Sequence, residues 1–235
     1  MMRRNVNRGN VVFGSLLVVA GLAFVGRLAA STRAEAVDLP APLREATTAN
    51  AKTETAVFAG GCFWGIQAVF QHVKGVVSAT SGYAGGSVSK PSYEDVSSGQ
   101  TGHAESVRVV FDPAVVSYGQ LLRVFVSVAH DPTELNRQGP DVGTQYRSAL
   151  FYMSEEQKTT AEAYIAQLEK AHAFPNPIVT QVAPLKSFYA AEAYHQNYAE
   201  LHPMEPYIVF NDAPKVANLK KRFPDLYTEK LAAHE

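Results

Sequence analysis

Apolar positions along this chain repeat with two periods, and the two alternate. Residues 55–59 form a short β-prone run, after which Phe63, Ile66, Val69 and Phe70 recur at helical spacing. Residues 76–82 mix Val, Thr and Ser and predict a second strand that ends in a glycine-rich loop. A short turn or helix is expected over Tyr93–Ser97. From residue 105 to 112 the pattern alternates strictly, with Val107, Val109 and Phe111 on one face. Residues 118–129 then carry apolar side chains at 118, 121, 122, 125, 126 and 129, the stripe of a half-buried helix. Residues 131–144 read as a long loop, residues 146–153 as a strand. Ser154-Glu155-Glu156-Gln157 is a capping-box arrangement for a helix running to Lys170. A last strand is expected over 178–182, a helix over 190–201 and a short one over 218–222. Strands and helices alternate with mixed connections, which predicts an α+β fold: a two-layer domain with a mixed β-sheet covered by helices.

The N-terminal region is read separately. Arg3, Arg4 and Arg8 make a basic start, residues 11–26 are an uncharged apolar run, and Ala34-Glu35-Ala36 offers small residues at cleavage spacing. This predicts a signal peptide over residues 1–36, the run being shorter than the ~20 residues of a membrane span, with an uncleaved anchor as the alternative. The expected location is outside the cytoplasm, periplasmic or membrane-anchored. Residues 37–54 have no periodicity and read as a flexible linker. Residues 55–235 suit one domain. Without the leader the chain holds 16 basic and 21 acidic residues, so no basic face for nucleic acid is expected.

Candidate chemistry centres on Gly60-Gly61-Cys62-Phe63-Trp64-Gly65, which holds the only cysteine and the only tryptophan of the 235 residues. One cysteine excludes an internal disulfide, a Cys-X-X-Cys pair and a cysteine-rich zinc site, and no histidine spacing suggests a metal. Cys62 falls in a glycine turn at a helix start, where unpaired N–H groups and the positive end of the helix dipole gather. A thiol there is expected below the ~8.5 of a free cysteine. Taken alone, a lone cysteine is a small buried hydrophobe; the glycine turn before it and the helix behind it favour a reactive thiol.

Gly-Cys-Phe-Trp-Gly resembles the signature of the A-class peptide methionine sulfoxide reductases. Further blocks follow in that family's order: Gly82-Tyr83-Ala84-Gly85-Gly86, Thr101-Gly102-His103-Ala104-Glu105, Asp131-Pro132-Thr133, Gln145-Tyr146-Arg147-Ser148 and Tyr194-His195-Gln196. The resemblance covers residues 55–227 and implies a core related to the ferredoxin-like arrangement. It implies reduction of methionine S-sulfoxide, in proteins and more weakly as the free amino acid. Cys62 is then the nucleophile, Glu105 the acid, Tyr93 and Tyr146 hydrogen-bond donors, Asp141 an orienting group, and Phe63 and Trp64 the wall of the methyl pocket. Residue types alone could not select these two tyrosines from eleven, and Glu105 and Asp141 alone read as a strand end and a turn residue. His103 and His195 read as structural hydrogen-bonders.

Many relatives carry further cysteines that resolve the oxidised one. None exists here, so no bound cofactor is expected and the expected partner is an external thiol reductant, thioredoxin-like or glutaredoxin-like, acting on a monomer. Two other classes compete with this reading. A cysteine hydrolase or acyltransferase would pair Cys62 with a histidine such as His195. A non-catalytic module would only bind oxidised methionine.

Overall fold

The computed structural model describes residue 1, residues 38–45 and residues 52–234; apart from its first residue, the expected leader lies outside the described residues. Eight strands and their helices appear in the order β1 (Glu54–Ala59), α1 (Phe63–Gln71), β2 (Val76–Ala84), α2 (Tyr93–Ser97), β3 (Ala104–Phe111), α3 (Tyr118–Val124), β4 (Arg137–Gln138), β5 (Asp141–Val142), β6 (Ala149–Tyr152), α4 (Glu155–Lys170), β7 (Gln181–Pro184), β8 (Phe188–Ala190), α5 (Tyr198–Leu201) and α6 (Ala213–Arg222). Six strands make one sheet in the order β7-β6-β1-β3-β2-β8. Its neighbours are antiparallel except β6 and β7, which run parallel. The sheet is therefore mixed, as expected. Its four inner strands, β6-β1-β3-β2, have the order and sense of a ferredoxin-like split βαβ arrangement.

Period-two alternation divides the sheet's faces. Ala56 and Phe58 of β1 enter the main core with Phe63, Ile66, Val69 and Phe70 of α1, whereas Val57 and Ala59 join a smaller cluster with Ala149 and Phe151. Phe58 stacks on Phe70 at 4.7 Å between ring centres and packs on Phe125 at 5.0 Å. Each such ring, fully buried, contributes roughly 1.5–3 kcal/mol, so the helix-covered face carries most of the stability. On β3 the expected stripe of Val107, Val109 and Phe111 faces this core. Glu105 has the same parity, so the strand that buries three apolar residues also carries a carboxyl inward.

Several expected elements shift. The helix over 118–129 is α-helical to Val124 and closes in one π turn, Phe125–Ala129, where the His130 ring stacks on Phe125. The loop over 131–144 contains the small β4–β5 hairpin. The strand of 146–153 narrows to Ala149–Tyr152 behind a 3-10 turn, Thr144–Tyr146. Ser154 caps α4 through the Gln157 N–H, but the Gln157 side chain reaches back to the Met153 N–H, so the reciprocal half of the box is displaced by one residue. The strand expected at 178–182 lies at Gln181–Pro184, and β8 at Phe188–Ala190 was not foreseen.

No helix spans 190–201. A 3-10 turn at Ala193–His195 and the short α5 flank Asn197, whose φ of 57° breaks helical geometry. The final helix is longer than expected, Ala213–Arg222, with Pro214 in its first turn. Within the stretch read as a linker, Leu39 is buried, its carbonyl accepts from Arg123 and the Pro40 carbonyl accepts from Tyr164. That part is therefore held on α3 and α4.

Candidate active site

Cys62 is the N-cap of α1, reached through Gly61 at φ +96°. A side chain at 61 would be strained in that conformation and would meet the Gln138 Cβ at 2.6 Å. The glycine turn thus lets α1 start against the β4–β5 hairpin. The thiol is only 7% exposed. Glu105 lies beneath it, 2% exposed, its Oε2 accepting the Phe63 N–H at 3.0 Å. One of the unpaired amides of the helix start therefore holds the carboxyl next to the cysteine.

Burial pushes the Glu105 carboxyl up to about 8, helped by the Asp141 and Asp212 charges and opposed by the Phe63 N–H. At neutral pH it is mostly protonated and able to donate. The thiol departs from expectation. Burial, then the Glu105 and Asp212 carboxyls, push Cys62 well above the ordinary thiol range. The Trp64 backbone N–H and the Lys215 ammonium favour the thiolate, but the sulfur makes no capping hydrogen bond of ordinary length and desolvation wins. The helix start is present as expected; it is too weak to ionise a sulfur so largely removed from water.

Tyr93 opens α2, its backbone N–H held by Glu192 Oε1 at 2.9 Å while Glu192 Oε2 accepts the Tyr83 hydroxyl at 2.8 Å. Tyr146 ends the 3-10 turn, which the Gln145 amide ties to the Ser97 carbonyl at 3.2 Å. Burial, then the Glu105 charge, raise both phenols, so both keep their protons. Electrostatically Cys62, Glu105, Tyr93 and Tyr146 form one group. Asp141 belongs to the same group, since its charge acts on Glu105 and Tyr146; its carboxylate accepts from Tyr207, a residue for which the sequence carries no signal.

Trp64 stands on the first turn of α1. Its indole stacks on Tyr198 at 3.8 Å and 11°, meets Tyr207 edge-on at 6.0 Å, and donates from Nε1 to His195 Nδ1 at 3.1 Å. Phe63 is fully buried behind it, 5.9 Å from Tyr83 between ring centres. Of the two residues expected to form the wall, Trp64 is partly exposed and Phe63 is fully buried behind it. Burial keeps His195 neutral; Nδ1 is occupied by Trp64 and Nε2 has no partner, so no Cys–His pair forms. His103 accepts from Gly86 N–H and pairs with the Val88 carbonyl, a structural role. Among the described residues no group of three or more His, Cys, Asp and Glu side chains is placed to hold a metal. Sequence reasoning missed Tyr207, Glu192, Asp212 and Lys215; for the last two, the three-residue spacing around Pro214 was the only hint.

A buried thiol beside a carboxyl raised toward neutral pH, with two phenols and an aromatic cluster around them, is the arrangement of a thiol-dependent enzyme. Comparison with known proteins narrows this class. The chain belongs to the peptide methionine sulfoxide reductase family, whose model matches residues 54–227. Mesorhizobium japonicum peptide methionine sulfoxide reductase MsrA 2 is 61% identical over 178 residues, covering 76% of this chain and 91% of the relative. The Synechocystis protein of the same name is 51% identical over 181 residues, covering 77% and 83%. Among solved structures, methionine sulfoxide reductase A of Corynebacterium diphtheriae has a TM-score of 0.57 at 33% identity, covering 72% of this chain and 88% of that one. The chain is thus an oxidoreductase, and the hydrolase and binding-module readings find no support.

Proposed function

We propose that this chain reduces methionine S-sulfoxide, in oxidised proteins and more weakly as the free amino acid, through Cys62. The sulfoxide oxygen lies toward Glu105, Tyr93 and Tyr146, and the methyl group lies against Trp64. Cys62 sulfur attacks the sulfoxide sulfur. Glu105 gives its proton to the oxygen and its carboxylate takes the thiol proton, so no net charge is left buried. The S–O bond breaks, hydroxyl passes to Cys62 and methionine leaves. The cysteine is oxidised to a sulfenic acid and the sulfoxide is reduced.

With one cysteine in the chain, the sulfenic acid must be cleared from outside. A thiol attacks Cys62 sulfur, water leaves and a mixed disulfide forms; a second thiol then releases Cys62. A thioredoxin-like or glutaredoxin-like dithiol supplies both in one molecule. The N-terminal pattern supports export to the periplasm, cleaved or anchored, where the enzyme acts as a monomer in repairing exported proteins.

The observation that carries this reading is the Glu105 carboxyl, buried and bonded to the first amide of the cysteine's helix. Intact-mass analysis after one equivalent of a methionine S-sulfoxide peptide, without reductant, tests it. A gain of one oxygen located on Cys62, absent for the R epimer, is expected. An unmodified protein with methionine formed, or turnover by Cys62→Ser, sinks it. The same spectrum reports the mature N-terminus.

A further inference from the structure

Asp212 stands at the N-cap of α6, where an aspartate ordinarily accepts an amide of its own helix. It makes no such bond. Its side chain turns inward and is fully buried, with Oδ1 3.1 Å from the Lys215 ammonium, itself 15% exposed, and Oδ2 without a partner. The pair lies against Gly65, in the first turn of the cysteine's helix. A Cβ built at 65 would sit 2.1 Å from Asp212 Oδ1 and 2.9 Å from Lys215 Nζ. The missing side chain makes room for two charges beside the nucleophile's own helical turn.

We propose that the Asp212–Lys215 pair is a positioning element for the nucleophile, seated against the first turn of α1 so that its two charges set how readily Cys62 gives up its proton. The inference rests on Cys62 being the nucleophile. The charges that act most on Cys62 are Glu105 from β3 and Asp212, both opposing ionisation, and Lys215, which favours it. The same ammonium also acts on Asp141 of β5 and on His130 behind the glycine turn. The remaining titratable neighbours, Tyr93, Tyr146 and Tyr207, keep their protons and present no charge. Lys215 is thus the cation set against the acidic side of the site, and Asp212 limits its effect.

Iodoacetamide alkylation tests this on the intact protein. It reads the chain's single thiol and needs no sulfoxide, so its failure is separate from failure of the reductase reading. Asp212→Asn keeps the shape and leaves Lys215 charged. The alkylation midpoint should fall by about one pH unit, about a tenfold faster reaction at pH 7. Adding Lys215→Met to that variant removes the cation and should return the midpoint upward. Loosened packing would move both variants the same way, so opposite movement identifies electrostatics. Coincident midpoints in all three proteins, or a double variant that tracks the single one, overturn the proposal. Should the variants not fold, the wild type decides: the Lys215 13Cε resonance should titrate at the Cys62 midpoint and lose that step in Cys62→Ser, and a trace without that step in the wild type overturns the proposal equally.

Discussion

Glu105 is a carboxyl held where solvent hardly reaches it, and two consequences follow from one displaced titration. Its folded value of about 8 lies above the ordinary 4.5. Proton delivery requires the protonated form, so turnover should be level below pH 7 and decline as pH rises through about 8. Glu105→Gln cannot donate and should lower kcat by roughly 10²–10³-fold and remove that decline. Stability carries the opposite face of the same fact. Between the two values the folded protein holds a proton that the unfolded chain has released, so stability falls as pH rises across this window. The gap corresponds to about 5 kcal/mol as an upper figure. Denaturant melts at pH 5 and pH 8.5 should show the loss in the wild type and a much smaller one in Glu105→Gln. Equal slopes in the two proteins would mean the carboxyl is already ionised at neutral pH.

Two elements bring the reacting groups together, and a third has only one 3-10 turn of regular structure. The β1-turn-α1 unit presents Cys62, and the parity of β3 delivers Glu105 to its underside. The first was readable from its glycine turn and helical spacing; Glu105 by itself read as a strand end and took its role from the family resemblance, although it continues the parity of Val107, Val109 and Phe111. The third, residues 191–197, was read as a helix because its composition permits one. What decides otherwise is a long-range polar network. Gln196 is buried; its Oε1 accepts from Ser81 N–H and Gln67 Nε2 at 2.9 and 3.0 Å, and its Nε2 donates to the Ser81 and Ala191 carbonyls at 3.0 Å. Pairings across 115 and 129 residues have no local signature. The same holds for Tyr207 with Asp141, and for Asp212 at Gly65. Local pattern shows faces and turns; it does not show which distant polar group meets which. Gln196→Ala should therefore cost more than an average buried polar residue. Leaving several buried partners unpaired costs about 3 kcal/mol, or about 6–12 °C in Tm for a domain this size. Because this segment also holds His195 against Trp64, the lone tryptophan's emission should change in the folded variant. A wild-type Tm would show that the network is dispensable.

At the scale of the whole molecule the decisive fact is that the sheet, its helices and its loops contain a single sulfur nucleophile. A chain with a second cysteine nearby can fold its own thiol onto the oxidised one; here the half-reaction must stop. Without reductant, methionine formation should plateau at one equivalent per chain. The sulfenic acid is sheltered, since Cys62 is only 7% exposed, so the oxidised form should persist long enough for mass analysis. A small monothiol such as glutathione should then add once, as a mixed disulfide on Cys62, and a dithiol should restore the free thiol and multiple turnover. Quantifying methionine against enzyme under single-turnover conditions checks the first point, and intact mass with and without each thiol checks the second. More than one equivalent formed without reductant would require an electron source inside the chain, and the fold offers no second thiol to provide it. A plateau at one, followed by rescue only with added thiol, places the missing half of the cycle on a partner that must reach the rim of the Cys62 pocket.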